Sequence, residues 1–246
     1  MADTNPSYRL ALVTGGTRGI GAAISRALQA AGRRVVASYR NGHEQAARFR
    51  DDTGIETVSF DVADLEQTRV AMADLTSRFG PVSVLVNNAG IIRDIGLVRM
   101  ERDTWDAVLD TNLGSAFNLC RLLLPAMREQ RWGRIVNITS VNGQTGQFGQ
   151  THYAAAKAGL QGFTRSLALE CARYGVTVNA LAPGYVETEM LSELSSETMA
   201  RVLSGIPVGR LGQPEEIAAG VAFLTADTSG FVTGSTLSIN GGQYMS

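Results

Sequence analysis

A tyrosine and a lysine four residues apart, in Tyr153-Ala154-Ala155-Ala156-Lys157, point most directly to chemistry in this chain. On a helix, positions i and i+4 lie on one face, one turn apart. A phenol has an ordinary pKa of about 10, too high for efficient acid–base work near neutrality. An ammonium beside it favours the phenolate and is expected to lower that value. Lys157 is the only lysine, the other 21 basic side chains being arginines. A bias towards arginine codons would leave a stray lysine, but a guanidinium does not replace a compact, mobile charge beside a titrating group. Ser140, thirteen residues before the tyrosine and at the end of a β-branched run, offers a hydroxyl to a substrate carbonyl oxygen. Asn112 is a weak helix former inside a helical pattern, and its side chain could hold a water near Lys157. Taken singly, Tyr153 and Ser140 could be hydrogen-bonded core polars and Asn112 a cap on a bent helix. Together they form an acid–base set.

A second group of residues could bind a nucleotide. Thr14-Gly15-Gly16-Thr17-Arg18-Gly19-Ile20-Gly21 follows an apolar run and opens a helical pattern. Glycines let backbone approach a pyrophosphate, and a helix N-terminus supplies N–H groups and a positive dipole end. The spacing G-x-x-x-G-x-G differs from the common G-x-G-x-x-G fingerprint, so the placement between strand and helix carries the argument. About 20 residues on, where an NAD binder usually has a carboxylate for the ribose, the chain has Tyr39-Arg40 and no acid until Glu44. Arg40 and Arg18 suit a 2′-phosphate and imply NADPH, although either could be a solvated surface arginine. Asp61-Val62 stands where an adenine contact would fall, or Asp61 caps the next helix. In Asn87-Asn88-Ala89-Gly90 small residues would let a cofactor lie on the backbone, a tetrad that alone would also suit a plain strand-to-loop turn.

These residues need a scaffold. Seven short runs read as strands: Leu10 to Thr14, Arg34 to Tyr39, Thr57 to Phe60, Val82 to Asn87, Arg134 to Thr139, Val176 to Leu181 and Thr236 to Ile239. Several are almost wholly apolar, as strands covered on both faces must be. Helical patterns run from Ile20 to Ala31, Glu44 to Arg50, Leu65 to Phe79, Trp105 to Gln130, Thr151 to Tyr174 and Glu215 to Leu224. The alternation predicts an α/β fold, with a parallel sheet covered by helices on both faces. No linker divides residues 1–246, which read as one domain with a helical insertion at about 183–214. Net charge is -1, which gives no basic surface for nucleic acid or anionic membrane. No apolar run reaches membrane-spanning length and Met1 to Arg9 lacks a signal-peptide core, so a cytoplasmic protein is expected. Cys120, Cys171, His43 and His152 have no metal-ligand spacing, so no metal site is expected.

The motifs TGGTRGIG, NNAG, Asn112, Ser140, YAAAK and Pro183-Gly184 with Thr188, in that order and over essentially the whole chain, resemble the short-chain dehydrogenase/reductase family. The resemblance implies a single Rossmann domain, a doubly wound seven-stranded parallel sheet, and usually a homotetramer. It implies a catalytic set of Asn112, Ser140, Tyr153 and Lys157. It implies cofactor contacts from Gly15, Thr17, Arg18, Gly19, Ile20, Arg40, Asp61, Val62, Asn88, Ala89 and Gly90, then Tyr153, Lys157, Pro183, Gly184, Val186 and Thr188. The stretches Ile91 to Asp94, Arg131 to Ile138, Ser140 to Leu160 and Pro183 to Met190 are most similar to family members that reduce acetoacetyl-CoA with NADPH for polyhydroxybutyrate synthesis. That similarity implies an (R)-3-hydroxyacyl-CoA product and substrate contacts from Asp94, Ser140, Gln147, Phe148, Gln150, Tyr153, Gly184 and Tyr185. Gln147 to Gln150, between Ser140 and Tyr153, is expected to form one wall of the substrate site. The chain is also similar to 3-oxoacyl-acyl-carrier-protein reductases, which carry a basic patch for the acidic carrier. Arg131 and Arg173 retain part of such a patch, while Tyr174 stands where a basic residue is common. A non-catalytic NADP-binding regulator on the same fold is the alternative from another class, and the intact Ser/Tyr/Lys set argues against it.

Overall fold

The computed structural model describes residues 9–188 and 195–245. Seven strands form one all-parallel sheet: β1 (Leu10–Val13), β2 (Arg34–Tyr39), β3 (Glu56–Ser59), β4 (Val82–Asn87), β5 (Gly133–Ile138), β6 (Val176–Pro183) and β7 (Thr236–Ile239). Their order is β3-β2-β1-β4-β5-β6-β7, so the winding reverses between β1 and β4. Every expected strand is present. β6 runs two residues further than expected, which makes Pro183 a strand residue and puts Gly184 directly at the carboxyl edge.

Helices α1 (Gly19–Ala30), α2 (His43–Thr53) and α3 (Leu65–Phe79) return the chain between the first strands. The expected helix from Trp105 to Gln130 is instead α4 (Arg102–Leu109), a π turn over Asp110–Gly114, and α5 (Ser115–Glu129). The break has a local cause. Asn112 Nδ2 donates to the carbonyls of Val108 and Ile91, and Ser115 Oγ donates to the Thr111 carbonyl. Side-chain hydrogen bonds of this kind compete with the i→i−4 ladder and widen the turn, and π turns of this type cluster at functional sites. A short α6 (Asn142–Thr145) precedes α7 (Thr151–Cys171), which ends in a 3₁₀ turn over Ala172–Tyr174. In the segment expected to be a helical insertion, α8 (Ser196–Ser204) is helical, while 189–194 lie outside the described residues. The last helix is α9 (Pro214–Thr225).

Each sheet face carries its own core. On one, Leu12, Leu85, Ile135 and Val178 pack with Leu75 of α3, Leu119 of α5 and Leu167 of α7. On the other, Val13, Val84, Val136 and Leu181 pack with Ile24 of α1 and Val221 of α9. Burial of both faces explains the continuous apolar strands. Cys120 and Cys171 are buried free thiols in the first core.

Candidate active site

The carboxyl ends of β1 to β4 open on one cleft at the reversal of strand order, where open α/β sheets bind ligands. Gly15, Thr17, Arg18, Arg40, Asp61, Val62, Ala89 and Gly90 line it, as expected, and they are joined by Ser38, Tyr39, Asn41, Phe60, Ile91 and Thr111. Gly15 and Gly19 have φ of +60° and +49°, a left-handed backbone that disfavours side chains. A Cβ on Gly21 would lie 2.0 Å from the Gly15 carbonyl oxygen, so this position must be glycine for the loop to fold onto α1. Ile20 packs from α1 against the second core.

The loop is held by a residue that motif reading overlooked. Thr14 Oγ1 accepts the backbone N–H groups of Asn88 and Ala89, both at 2.9 Å. In return Asn88 Nδ2 donates to the carbonyls of Thr14 (2.8 Å) and Gly15 (3.2 Å). The Asn88 side chain is therefore engaged in fixing the loop. The only available signal was a threonine directly before the first glycine. The α1 N-terminus carries no acidic residue in its first turn, and exposed Arg18 stands at its cap. This cradle of glycine backbone, free helix N-terminus and cation fits the pyrophosphate of a dinucleotide.

Arg40 Nη1 lies 3.1 Å from Asp61 Oδ2, and the guanidinium is about half exposed at the cleft. Asp61 Oδ1 also accepts the Ala63 N–H. Its carboxylate is thus engaged in orienting Arg40 and in a local turn. The helix cap considered for Asp61 belongs to Asp64, which accepts from the Glu66 and Gln67 N–H groups.

The four expected catalytic residues converge on the carboxyl edge of the sheet. Tyr153, Lys157 and Asn112 are buried, with 9%, 3% and 2% exposure. Ser140 stands close enough to the Tyr153 phenol to pull its pKa down. Lys157 Nζ donates to the Ile138 carbonyl at 2.8 Å and lies 5.6 Å from the Tyr153 ring centroid. Gly90 admits this packing, because a Cβ there would fall 2.5 Å from Asn112 Oδ1 and 3.6 Å from Lys157 Nζ. Asn112 Oδ1 takes no hydrogen bond from the described residues.

The electrostatics correct one expectation. Lys157 was expected to lower the Tyr153 pKa. Instead burial pushes the phenol above its ordinary value, the Ser140 hydrogen bond pulls it back in part, and the Asp94 charge adds to the rise. The ammonium sits over the ring and donates one hydrogen bond to the Ile138 carbonyl, and it carries a burial penalty of its own that takes Lys157 down to about 8.

On the substrate side a chain of hydrogen bonds leads away from Ser140. The Asn142 N–H donates to Ser140 Oγ at 3.1 Å, Asn142 Nδ2 to Gln150 Oε1 at 2.9 Å, and Gln150 Nε2 to Asp94 Oδ1 at 2.9 Å. Asn142 is a link that motif reading did not single out. Gln150 is buried, whereas Gln147 and Phe148, expected within the wall, stand exposed at its rim, Phe148 to 94%. Tyr185 is half-buried, and burial followed by the Asp94 charge raises its pKa. Pro183 ends β6, and the Gly184 N–H donates to the Ile239 carbonyl. Val186 is buried and bridges to Gly212. Thr188 closes on the glycine loop, its Cγ2 3.6 Å from where a Gly19 Cβ would lie.

Residues 15–243 match the family model described as enoyl-(acyl carrier protein) reductase. The chain is 51% identical over 237 residues to an acetoacetyl-CoA reductase of Shinella zoogloeoides, covering 96% of this chain and 98% of that one. It is 50% identical, with the same coverage, to an acetoacetyl-CoA reductase of Rhizobium meliloti. It is 45% identical over 240 residues to a 3-oxoacyl-acyl-carrier-protein reductase of Haemophilus influenzae, covering 97% and 99% of the two chains. With the doubly wound sheet and the Ser140–Tyr153–Lys157 arrangement, these matches establish that the chain belongs to the short-chain dehydrogenase/reductase family, oxidoreductases that use a nicotinamide cofactor.

Proposed function

We propose that this chain reduces the 3-oxo group of acetoacetyl-CoA to (R)-3-hydroxybutyryl-CoA with NADPH, in the cytoplasm, to supply polyhydroxybutyrate synthesis. The observation that carries the reading is the convergence of Ser140, Tyr153 and Lys157 beside Gly90 of the glycine cleft, with Ser140 joined through Asn142 and Gln150 to Asp94. Two hydroxyls at one point suit a carbonyl oxygen that becomes an alkoxide. When bound, the nicotinamide supplies the hydride for C3.

The chain's own residues then handle the oxygen and its proton. Ser140 donates a hydrogen bond to the carbonyl oxygen and strengthens it as negative charge develops. Tyr153 gives its proton to that oxygen. An alkoxide is a far stronger base than a phenolate, so the transfer runs downhill even from a phenol whose pKa burial has raised. Lys157 orients the tyrosine ring and holds the nicotinamide ribose. Asn112 Oδ1, facing Gly90 and Lys157, is the acceptor for a water on the path that returns a proton to the site. Arg40, steadied by Asp61, and Arg18 bind the 2′-phosphate that distinguishes NADPH from NADH. Gln150, Asp94, Phe148 and Tyr185 bound the substrate.

The same chemistry on acyl carrier protein is the second reading. Arg128, Arg131 and Arg173 gather around Tyr174 at the opposite edge of the sheet, as a patch for an acidic carrier would. There Arg128 stacks on the Tyr174 ring at 3.9 Å, and Arg131 donates to the Arg173 carbonyl. These arginines are engaged with one another's segments, which favours CoA over the carrier. A homotetramer accords with two separate exposed apolar faces, Phe117 and Leu169 on α5 and α7, and Phe223 and Phe231 at α9 and beyond, since dihedral tetramers use two kinds of two-fold contact.

Incubation with acetoacetyl-CoA and NADPH, followed by chiral analysis of the product, tests the assignment. The (R)-3-hydroxy thioester is expected. The (S) product, or reduction of enoyl-CoA in its place, would overturn it.

A further inference from the structure

We infer that Gln243, in the C-terminal tail, is a positioning residue for the substrate site: its side-chain carbonyl holds the Tyr185 peptide and so sets the wall opposite Asp94. The argument starts at Gly241 and Gly242, whose φ values of +62° and +88° turn the chain back after β7. That turn delivers Gln243 onto the carboxyl end of β6. Gln243 Oε1 accepts the Tyr185 N–H at 3.1 Å. A Cβ on Gly184 would lie 2.4 Å from this oxygen, so glycine at 184 leaves the space that the amide occupies. The next peptide is held too, the Tyr185 carbonyl accepting the Gly212 N–H at 2.9 Å. The C-terminal tail and the segment before α9 thus hold the two peptides that flank the Tyr185 Cα. The turn is braced further by the Glu187 N–H on the Gly212 carbonyl and the Gly242 N–H on Asn240 Oδ1.

The side chain on that peptide is where the consequence falls. The Val141 N–H donates to the Pro183 carbonyl at 2.8 Å, which sets Tyr185 two residues beyond a contact with the segment that carries Ser140 and Asn142, and the Asp94 charge acts on both Tyr185 and Tyr153. Any shift of the Tyr185 peptide alters the gap between Tyr185 and Asp94 without touching Ser140, Tyr153 or Lys157. Gln243 therefore acts on how the thioester is held rather than on the chemical step.

This inference rests on the assignment of Tyr185 to the substrate wall, and the test separates the two. In the full chain, Gln243→Leu removes the acceptor at similar volume, while Gln243→Glu keeps an acceptor. Gln243→Leu is expected to raise KM for acetoacetyl-CoA by about tenfold, the order lost with one hydrogen bond to a partly buried N–H. It should leave kcat and the NADPH KM within about twofold, and Gln243→Glu should retain most of the wild-type KM. Amide hydrogen exchange of a peptide containing Tyr185, read without substrate, should be faster by about tenfold in Gln243→Leu only. Faster exchange with an unchanged acyl-CoA KM would remove Tyr185 from the substrate wall. Unchanged exchange, or equal losses in both variants, would overturn the role of Gln243 itself.

Discussion

Lys157→Met should make the protein inactive and more stable. The ammonium is buried in the wild-type fold, and burial lowers its pKa from 10.5 to about 8. That change is a factor of about 300 in proton affinity, on the order of 3 kcal/mol. The sign follows from which state binds the proton. Below pH 8 both states carry the charge, and the native state bears the full cost. Between about pH 8 and 10.5 the native lysine has released its proton while the unfolded chain still holds it, so stability rises with pH across that window. Methionine has similar length and no charge to bury. It loses the hydrogen bond to the Ile138 carbonyl, and leaving that acceptor unmet costs about 1–2 kcal/mol. The balance is a gain of about 1–2 kcal/mol at pH 7, or about 2–8 °C in Tm for a chain of this size. Thermal melts of the cofactor-free wild type and variant from pH 6 to about pH 10 read both quantities. The curves should close and then cross as pH rises, because only the wild type gains and its gain of about 3 kcal/mol exceeds the gap of about 1–2 kcal/mol. A lower Tm for the variant at pH 7, or two curves that stay parallel above pH 8, would refute the claim that Lys157 is held at a cost to the fold.

Other residues make separable predictions. Tyr153→Phe should lower kcat by about 10³-fold or more, within the range for a proton donor, and leave the NADPH dissociation constant within about twofold by fluorescence titration. Arg40→Ala should weaken NADPH by about tenfold or more while leaving NADH nearly unchanged, since only the 2′-phosphate is lost as a partner. Asn88→Ala should weaken both dinucleotides alike, because its two hydrogen bonds shape the glycine loop rather than meet one ligand, and the ratio of the two KM values is the readout. The proposed tetramer predicts that Leu169→Glu, on a side chain that is 85% exposed, shifts light scattering towards smaller species without changing the helical circular dichroism.

The sheet was legible because burial on both faces leaves a signal that needs no partner to interpret: runs such as Val82 to Asn87 are apolar throughout. The catalytic set was legible for a different reason. Tyr153 and Lys157 share a helix face, and Ser140 stands two residues beyond β5, so local geometry alone brings two of the four together. The π turn at Asp110–Gly114 was not legible, because the pattern from Trp105 to Gln130 is continuous. The break depends on Asn112 finding the Ile91 carbonyl, 21 residues earlier. The pKa of Tyr153 was misread for the same kind of reason. Spacing reports that an ammonium is near, but only the packed structure reports that the phenol is buried and that the ammonium donates to the Ile138 carbonyl. Thr14 and Gln243 act through backbone groups brought close by the fold, and a sequence carries little trace of such contacts.

The central claim is that this site reduces a 3-oxoacyl thioester carried on CoA, using NADPH. The measurement that tests it most directly is NADPH consumption by the full chain, with acetoacetyl-CoA and acetoacetyl-acyl carrier protein compared at matched concentrations and NADH as control. The account predicts a kcat/KM for the CoA thioester with NADPH at least about tenfold above the other combinations, a difference of about 1.4 kcal/mol in transition-state binding. Preference for the carrier protein, or equal use of NADH, would contradict it.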